Sequence, residues 1–288
     1  MGKPFSHRAP RSLAATVLLA MTVLACATST AQQPDEPLWE AGAGFAALRL
    51  PDYRGSSQSR WYALPVPYFV YHGDFFKADR HGVRGVLFES DRVDFNLSVG
   101  ASLPVDSSRS EVREGMPDLR PSIELGPKVD LTLWRTGDRR ARLDLRLPLR
   151  GAVTIESHPR YIGAQFFPHL NLDVTDVGGL AGWNLGVLAG PVYTDRRYNQ
   201  YFYAVTPEQA TASRPAYDPG GGYGGAQFIV ALSKHYRQFW VGGYLRRDTL
   251  AGATYAQSPL VTSLRYVAGG IGVSWIFSES SRRVPVDD

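Results

Sequence analysis

One histidine and one carboxylate lie close enough along the chain to suggest acid–base chemistry. His169 and Asp173 are four positions apart, with alternating polar and apolar residues between them. In an extended strand this spacing separates the two side chains by about 13 Å, whereas a hydrogen-bonded acid–base pair needs contact near ~3 Å. The spacing therefore does not predict a catalytic dyad.

Other signatures of catalysis and of cofactor binding are missing from the sequence. There is no His-Glu-x-x-His or Gly-x-Ser-x-Gly motif, and Cys26 is the single cysteine, so neither metal-hydrolase nor acyl-enzyme chemistry is indicated. The glycine-rich stretch 220–225 lacks a following Lys-Ser/Thr pair and leads into a predicted strand, which is typical of a flexible junction and not of a phosphate loop. We therefore predict no catalytic residue, no metal site, no cofactor and no enzymatic activity. An active site assembled from separate strands would leave no such motif and is the alternative.

A two-faced alternation indicates the elements that position the side chains. In residues 141–150 the odd positions are apolar and the even positions are charged, apart from Pro148, and residues 93–103 and 123–133 alternate in a similar way. A β-strand sends successive side chains to opposite faces, and strands of about ten residues with one apolar and one polar face build transmembrane β-barrels. We therefore predict an all-β fold, an antiparallel transmembrane β-barrel.

The number of strands follows from the segments and from a rule of parity. Bacterial single-chain barrels normally have an even number of strands with both ends in the periplasm, yet eleven segments have strand character. We expect the error before residue 92, where prolines and a glycine-rich stretch blur the pattern, and predict about 12 strands, with 10 as the alternative. The predicted segments are 39–49, 60–71, 75–89, 92–103, 122–134, 141–154, 162–175, 182–194, 223–235, 238–249 and 264–277.

The parity rule also orients the connections. If the last strand ends in the periplasm, the long connections 104–121, 155–161, 195–222 and 250–263 are extracellular. The short turns at 136–138, 177–179 and near Arg237 are then periplasmic.

The polar faces of the predicted strands carry charges of both signs, and we expect these side chains to face the lumen. They would line a selective pore if the lumen is open. Alternatively, opposite charges pair across a narrow lumen and brace it, and their thorough mixing favours bracing. The lumen-facing charged residues are Asp94, Glu124, Lys128, Asp130, Arg142, Asp144, Arg146, Arg150 and Asp173.

Arginine and aromatic side chains concentrate in one extracellular connection, residues 195–222. Because such side chains dominate binding hot spots, this is the candidate recognition loop, with Arg196, Arg197, Tyr198, Tyr201, Phe202 and Tyr203 as its residues. In the alternative interpretation the tyrosines form an aromatic girdle, and Tyr201 and Phe202 fold back to plug the mouth of the barrel.

The start of the chain predicts secretion. Residues 1–12 contain Lys3, Arg8 and Arg11 and no acid, an apolar run follows, and small residues end at Ala31. This is the pattern of a signal peptide, so we divide the chain into a signal peptide (1–31), the barrel (32–277) and a polar C-terminal tail (278–288). Lipidation of Cys26 is the alternative to cleavage after Ala31. Removing the three basic residues leaves 28 basic and 27 acidic residues, which gives no support to a nucleic-acid partner.

Several short motifs, taken in order, resemble a known family. The stretch 53–57 (Tyr-Arg-Gly-Ser-Ser), Arg60 and 65–68 (Pro-Val-Pro-Tyr) resemble the opening of the MipA/OmpV family of outer-membrane proteins. Residues 198–205, 220–225 and 258–261, which precede a glycine-rich last strand ending on Phe277, resemble its second half.

This resemblance implies a location and partners. The protein is expected in the outer membrane of a Gram-negative bacterium, surrounded by outer-membrane lipid. The family name implies a non-enzymatic scaffold that links the lytic transglycosylase MltA to a bifunctional penicillin-binding protein in peptidoglycan assembly; a narrow porin or channel, or an adhesin, is the alternative. The contact would come from the periplasmic turn 135–140, with Arg135, Asp138, Arg139 and Arg140, or from the tail with Arg282 and Arg283.

Overall fold

The computed structural model describes residues 36–72, 76–79, 82–90 and 92–284. The predicted signal peptide lies outside the described residues. In the part of the chain that is described, no helix is long and apolar enough to cross a membrane.

Strands make up most of the described chain and follow the predicted alternation. On β6 (Val93–Ser102), Asn96 and Ser98 are buried, whereas Phe95 and Val99 on the opposite face are exposed. Polar side chains thus face inward and apolar side chains face outward, which is the inverse of a water-soluble sheet and suits a wall in contact with lipid.

The remaining elements are these, in chain order. The strands before β6 are β1 (Glu36–Pro37), β2 (Trp39–Pro51), β3 (Ser59–His72), β4 (Phe76–Asp79) and β5 (Gly82–Glu89). Those after it are β7 (Ser122–Arg135), β8 (Ala141–Thr154), β9 (Tyr161–Phe166), β10 (His169–Val174), β11 (Trp183–Thr194), β12 (Gly222–His235), β13 (Phe239–Thr249), β14 (Arg265–Glu279) and β15 (Arg283–Val284). One α-helix, α1 (Arg196–Tyr203), and short 3-10 helices at Ser107–Arg109, Val177–Gly179 and Pro207–Gln209 lie in the connections.

The antiparallel sheet closes on itself. Its neighbours run β10-β11-β12-β13-β14-β2-β3-β4-β5-β6-β7-β8-β9, and the pairings of β8 with β10 and of β9 with β11 complete a ring. β9 and β10 are two parts of one interrupted strand, because both lie between β8 and β11. The break falls at Phe167 and Pro168, and proline has no N–H for a ladder bond. Counted in this way, the described ring contains twelve strands, as predicted.

One predicted strand is wrong. The single segment predicted over 75–89 is a short hairpin of two strands, β4 and β5, in which Phe76 pairs with Gly85 and Asp79 with Gly82. A four-residue strand is too short to show an alternation, and this is the place where the parity rule requires an additional strand.

Because the strands alternate in direction, the connections separate into two groups. The loops 52–58, 103–121, 155–160, 195–221 and 250–264 lie at one end, which we call the loop end. The connections 136–140, 175–182 and 236–238 lie at the opposite end, the turn end. At the turn end β14 continues to Glu279, and β15 pairs with β1 through Glu36 with Val284 and Pro37 with Arg283.

The buried apolar side chains lie mainly at the loop end and not within the wall. Four loops, 52–58, 103–121, 195–221 and 250–264, pack together there, and we call them the cap. The largest buried cluster draws most of its residues from the cap: Tyr53, Val105, Leu119, Ala152, Ile162, Tyr198, Phe202, Tyr203, Leu250, Ala253 and Tyr255.

Candidate functional site

The inner face of β8 carries the densest network of charges. Asp144 accepts a hydrogen bond from Arg142 Nε at 2.7 Å and lies 3.3 Å from Arg146 Nη2. Arg142 also reaches Asp94 on β6 at 3.3 Å, and Arg146 reaches Asp173 on β10 at 3.0 Å. The period of two along β8 places these three residues on one face, so the network joins three strands.

A second group of charges lies on β7. Lys128 Nζ is 2.7 Å from Asp130, which also accepts from Asn96 of β6 at 3.3 Å. Glu124 lies 3.8 Å from Arg150 Nη1 and accepts a 3.0 Å hydrogen bond from the hydroxyl of Tyr198. The structure thus places each of the nine predicted lumen-facing charges within 4 Å of an opposite charge, the arrangement of a braced interior.

A third group connects the cap to the wall. The carboxylate of Asp248 on β13 is fully buried and accepts hydrogen bonds from Arg246 at 2.6 Å, from Tyr266 of β14 at 2.6 Å and from Arg54 of the loop 52–58 at 3.0 Å. Alternation along β13 explains the inward position of Arg246 and Asp248. The roles of Arg54 and Tyr266 depend on contacts between distant parts of the chain. Arg54 belongs to the stretch 53–57 that resembles the family, but its contact with Asp248 was not predicted.

The predicted recognition loop contains a helix, which the sequence did not predict. Asp195 caps α1 by accepting from the N–H of Tyr198 at 2.7 Å, a stabilising arrangement at a helix N-terminus. Tyr198, Phe202 and Tyr203 point into the cap and are buried, whereas Arg196 and Arg197 are exposed and Tyr201 is half-buried. The structure therefore divides the six predicted residues between an inner and an outer face.

The inner residues hold the cap together. Tyr203 stacks on Tyr255 with ring centroids 3.8 Å apart, and its hydroxyl donates to the backbone carbonyl of Arg54 at 2.9 Å. The hydroxyl of Tyr53 donates to the carbonyl of Leu260 at 2.7 Å. The stretches 53–57 and 198–205, on which the resemblance rests, are thus in direct contact.

Burial changes the acidity of these phenols. Loss of solvation raises the pKa of Tyr53 to about 12. Burial, followed by the negative charge of Glu124, holds the pKa of Tyr198 well above its ordinary value, and burial does the same for Tyr203. The three hydroxyls therefore remain protonated hydrogen-bond donors throughout the physiological pH range.

Two arginines in the cap were not predicted as site residues. Arg113 is buried and donates to the carbonyls of Phe202 at 3.1 Å and of Pro117 at 3.2 Å. Arg214 donates to the carbonyls of Val112 and Glu114, both at 2.9 Å, and so connects the loops 195–221 and 103–121. Because most of their partners are backbone carbonyls, which every residue has, and the remaining one is the hydroxyl of Ser107, no pattern in the sequence could reveal them.

Two cavities lie next to these residues. One, of about 450 Å³, lies beneath the cap, between Tyr198 and Tyr203 on one side and Arg150 and Arg246 on the other. The other, of about 960 Å³, is a groove between α1 and its neighbouring loops, and it contains Arg197 and Tyr201. Arg196 lies beside the groove and forms an ion pair with Asp218.

The predicted partner-binding residues lie at the turn end. Arg135, Asp138, Arg139 and Arg140 are exposed on the connection after β7. Arg140 is 3.7 Å from Asp138 and 3.9 Å from Asp176 of the next turn. Arg282 and Arg283 are exposed at the same end.

Comparison with solved structures finds matches of low similarity. The crystal structure of the Ralstonia pickettii toluene transporter TbuX aligns with 86% of this chain and 71% of its own, at 10% identity and a TM-score of 0.23. A mutant of the Rh. blastica porin aligns with 82% of this chain and 99% of its own, at 10% identity and a TM-score of 0.15.

Comparison of sequences is more informative. Outer membrane protein OmpV of Vibrio cholerae serotype O1 is 25% identical over 215 residues, which covers 73% of this chain and 76% of OmpV. Outer membrane protein Omp26La of Vibrio anguillarum is 24% identical over 215 residues, with the same coverage of 73% and 76%. The family described as "MltA-interacting protein MipA" matches residues 43–277, almost the whole ring of strands. The chain therefore belongs to the MipA family and is an outer-membrane β-barrel protein.

Proposed function

We propose that this protein is a non-enzymatic scaffold that holds murein-processing enzymes, a lytic transglycosylase and a penicillin-binding protein, at the inner surface of the outer membrane. The observation that carries the proposal is an exposed rim of arginines at the turn end. The description of the family as MltA-interacting supports the class of partner.

The rim faces the periplasm. In outer-membrane barrels the short turns are periplasmic and the longer loops extracellular, so the turn end is the periplasmic end. Among the residues whose side chains the structure describes, exposed acids at this end are fewer, namely Asp138 and Glu279, with Asp176 half-buried. The arginine rim consists, among the described residues, of Arg92, Arg135, Arg139, Arg140, Arg237, Arg282 and Arg283.

The interior supports the same function. Paired charges cross the lumen on β6, β7, β8 and β10, and the cap packs over the opposite mouth. Such pairs are costly to separate, so the interior acts as a brace. A braced barrel presents a fixed set of turns to a partner, and an arginine rim attracts an acidic protein surface.

The test measures binding of a soluble lytic transglycosylase to the immobilised, detergent-solubilised protein. The double substitution Arg139→Glu and Arg140→Glu reverses the charge of the periplasmic turn, and Arg196→Glu with Arg197→Glu makes the same change on the extracellular cap. The periplasmic variant should bind the enzyme roughly tenfold more weakly. It loses two exposed ion pairs with the enzyme, and at about 0.7 kcal/mol each their loss corresponds to that change in affinity. The extracellular variant should bind as the unaltered protein does.

Equal binding by both variants would show that the arginine rim does not contribute to binding of the enzyme. Failure of the unaltered protein to retain the enzyme would overturn the scaffold function itself.

The cavity beneath the cap favours one second candidate, a narrow channel. Planar bilayers distinguish the two functions, because a braced and capped barrel should be electrically silent. A steady conductance blocked by an antibody against the loop 195–221 would favour the channel.

A further inference from the structure

In the described part of the chain, one stretch of the barrel wall lacks strand pairs towards its extracellular side. β3 pairs with β2 from Ser59 to Tyr71, but on its other side the described pairs are Tyr71 with Ala78 and His72 with Lys77. β6 pairs with β7 over its full length, yet its described pairs with β5 end at Asn96. Among the described residues the β4–β5 hairpin therefore fills the wall near the periplasm, and no described pair joins 59–70 or 97–102 to a strand on the hairpin side.

The sequence of β3 fits an unpaired edge. Pro65 and Pro67 lie two residues apart, so their backbone nitrogens point to the same side of the strand. Proline has no N–H, and within sheets it is confined to edges and bulges. Both prolines pair in register with β2. If their nitrogens point away from β2, towards the unpaired side, the ladder between β3 and β2 loses no N–H donor. Two fewer N–H groups would then need a partner at the depth of the lipid.

The 450 Å³ cavity reaches this edge. At the extracellular end of β6 it is lined by Gly100, Ala101, Ser102 and Leu103, of which Ala101 and Leu103 are exposed and belong to the outward-facing side of the alternation. The cavity therefore extends around the unpaired edge of β6. Leu50 and Tyr62 of β2 and β3 line its other side.

The inner part of the cavity carries an excess of positive charge. Arg54, Arg150 and Arg246 line it, and these three guanidinium groups share two carboxylates, those of Asp248 and Glu124. The carboxylate of Asp52, which also lines the cavity, pairs with a fourth guanidinium, that of Arg60, at 2.6 Å. Arg54 Nη2 is buried and has no hydrogen-bond partner. Arg150 donates to Ser98 at 2.8 Å, and its contact with Glu124 is long, at 3.8 Å.

The rest of the lining is mainly apolar. Phe167, Leu188, Phe202 and Ile229 surround the charged part. Leu103, next to the unpaired edge, is 37% exposed on the outer surface of the wall. The cavity thus joins a cationic end inside the barrel to an apolar end at the lipid.

We propose that this cavity is a lateral binding site for an anionic amphiphile, a fatty carboxylate, that enters from the outer leaflet between β3 and β6. The carboxylate accepts hydrogen bonds from Arg54 and Arg150, and the alkyl chain leaves the barrel past Ala101 and Leu103. The volume is within the range of sites for small ligands.

The test uses dodecanoate as the probe and the full chain, folded and transferred to an amphiphilic polymer, in isothermal titration calorimetry. Dodecanoate should bind at one site per chain, whereas acetate, which lacks the chain, and dodecyltrimethylammonium, which carries the opposite charge, should not. Ala101→Trp fills the proposed exit and should weaken binding at least tenfold. Its matched control is Ala189→Trp, because Ala189 is also exposed on the outer surface but lies on β11, where it pairs with Leu170 and Phe228; this variant should bind normally.

The polar end is tested separately. Arg150→Gln should weaken binding at least tenfold, and Arg150→Lys should restore part of it. Slower migration of each boiled sample than of its unboiled counterpart on a denaturing gel would show that the variants are folded.

The proposal would be overturned by absence of dodecanoate binding, by equal binding of the cationic amphiphile, or by unchanged affinity in folded Ala101→Trp. A stable dimer cross-linked between Ala63→Cys of one copy and Ala101→Cys of a second would also overturn it, because the unpaired edges would then be covered by a second copy of the chain.

Discussion

Asp248 joins the cap to the barrel through a fully buried carboxylate. It faces two arginines and a tyrosine that come from a loop and two strands, and no part of its side chain is exposed. A buried carboxylate in such a position neutralises charges that would otherwise be costly inside the protein. Removing its charge should therefore affect the cap more than removing any exposed carboxylate.

We expect Asp248→Asn to lower the free energy of unfolding by about 3–5 kcal/mol, because Arg54 and Arg246 would keep their charges without a compensating partner. Urea titration in lipid vesicles measures this change. Asp218→Asn, at an exposed ion pair of the cap, is the control and should change stability little. A loss below about 1 kcal/mol for Asp248→Asn would show that water or another acid compensates the arginines.

Single residues on the strands could be predicted, whereas those in the cap could not. The period of two determines the face of a residue such as Asp144 once the strand is identified. The hydrogen bond between Tyr53 and Leu260 joins residues 207 positions apart, and no local pattern encodes such a contact. This difference explains why the ionic interior was predicted and the roles of Arg54, Arg113 and Arg214 were not.

At the scale of elements, helix α1 shows how a short segment can escape prediction. It has eight residues, too few for a clear apolar period, and its aromatic residues suited a recognition loop equally well. The helix fits against β9 because Gly163 has no side chain. A Cβ at Gly163 would collide with the backbone nitrogen of Tyr198 and with the carboxylate of Asp195, and the φ of +119° is unfavourable for other residues.

Gly163→Ala should therefore displace α1 and destabilise the cap by about 1–3 kcal/mol. Faster cleavage by trypsin after Arg196 and Arg197 would report the displacement. Gly137→Ala, where a Cβ would meet no atom within 4 Å, is the control and should be cleaved at the normal rate. Equal cleavage of the two variants would mean that the helix is held by contacts other than its seat on β9.

The cap should also be sensitive to alkali. An unfolded tyrosine ionises near pH 10, whereas Tyr53 in the cap keeps its proton to about pH 12. Below pH 10 both states are protonated and stability is unaffected. Between pH 10 and pH 12 the unfolded state binds fewer protons, so the stability of the cap falls as the pH rises.

Near-ultraviolet circular dichroism, recorded from about pH 9 to pH 12, follows this loss of packing. Tyr53→Phe removes one late-ionising phenol and should show a smaller fall over the same range, although it begins from a lower stability because the bond to Leu260 is lost. An identical pH dependence in this variant would show that the loss of packing in the cap is caused by ionisation of groups other than Tyr53.

The long strands are the elements that the sequence predicted best. The predicted boundaries 141–154 coincide with those of β8, and 122–134 differs from β7 by one residue. The prediction at β4 and β5 was wrong, because a hairpin stem of four residue pairs is too short to show an alternation of apolar and polar residues.

At the scale of the whole molecule, ring closure gives the barrel its cohesion. Each strand of the ring has neighbours on both sides, and β8 and β11 are bridged by the interrupted strand β9–β10. The ladders give partners to most backbone groups of the described strands, apart from one side of 59–70 and of 97–102, which allows barrels to persist in detergent.

We therefore expect unboiled protein to migrate faster than boiled protein on a denaturing gel, because the closed barrel stays compact in detergent. The protein should also fractionate with outer membranes. Unchanged mobility on boiling would contradict a closed barrel.

The pairing of β1 with β15 brings the two ends of the described chain next to each other. Pro37 lies beside Arg283 at the turn end, so a short linker can join the two ends of the described chain without crossing the barrel. The turn 136–140 lies at the same end and offers a place for new termini. A circular permutant that begins at Arg139 would keep both termini at the turn end, and its assembly would show whether the order in which the strands are synthesised matters to the finished barrel.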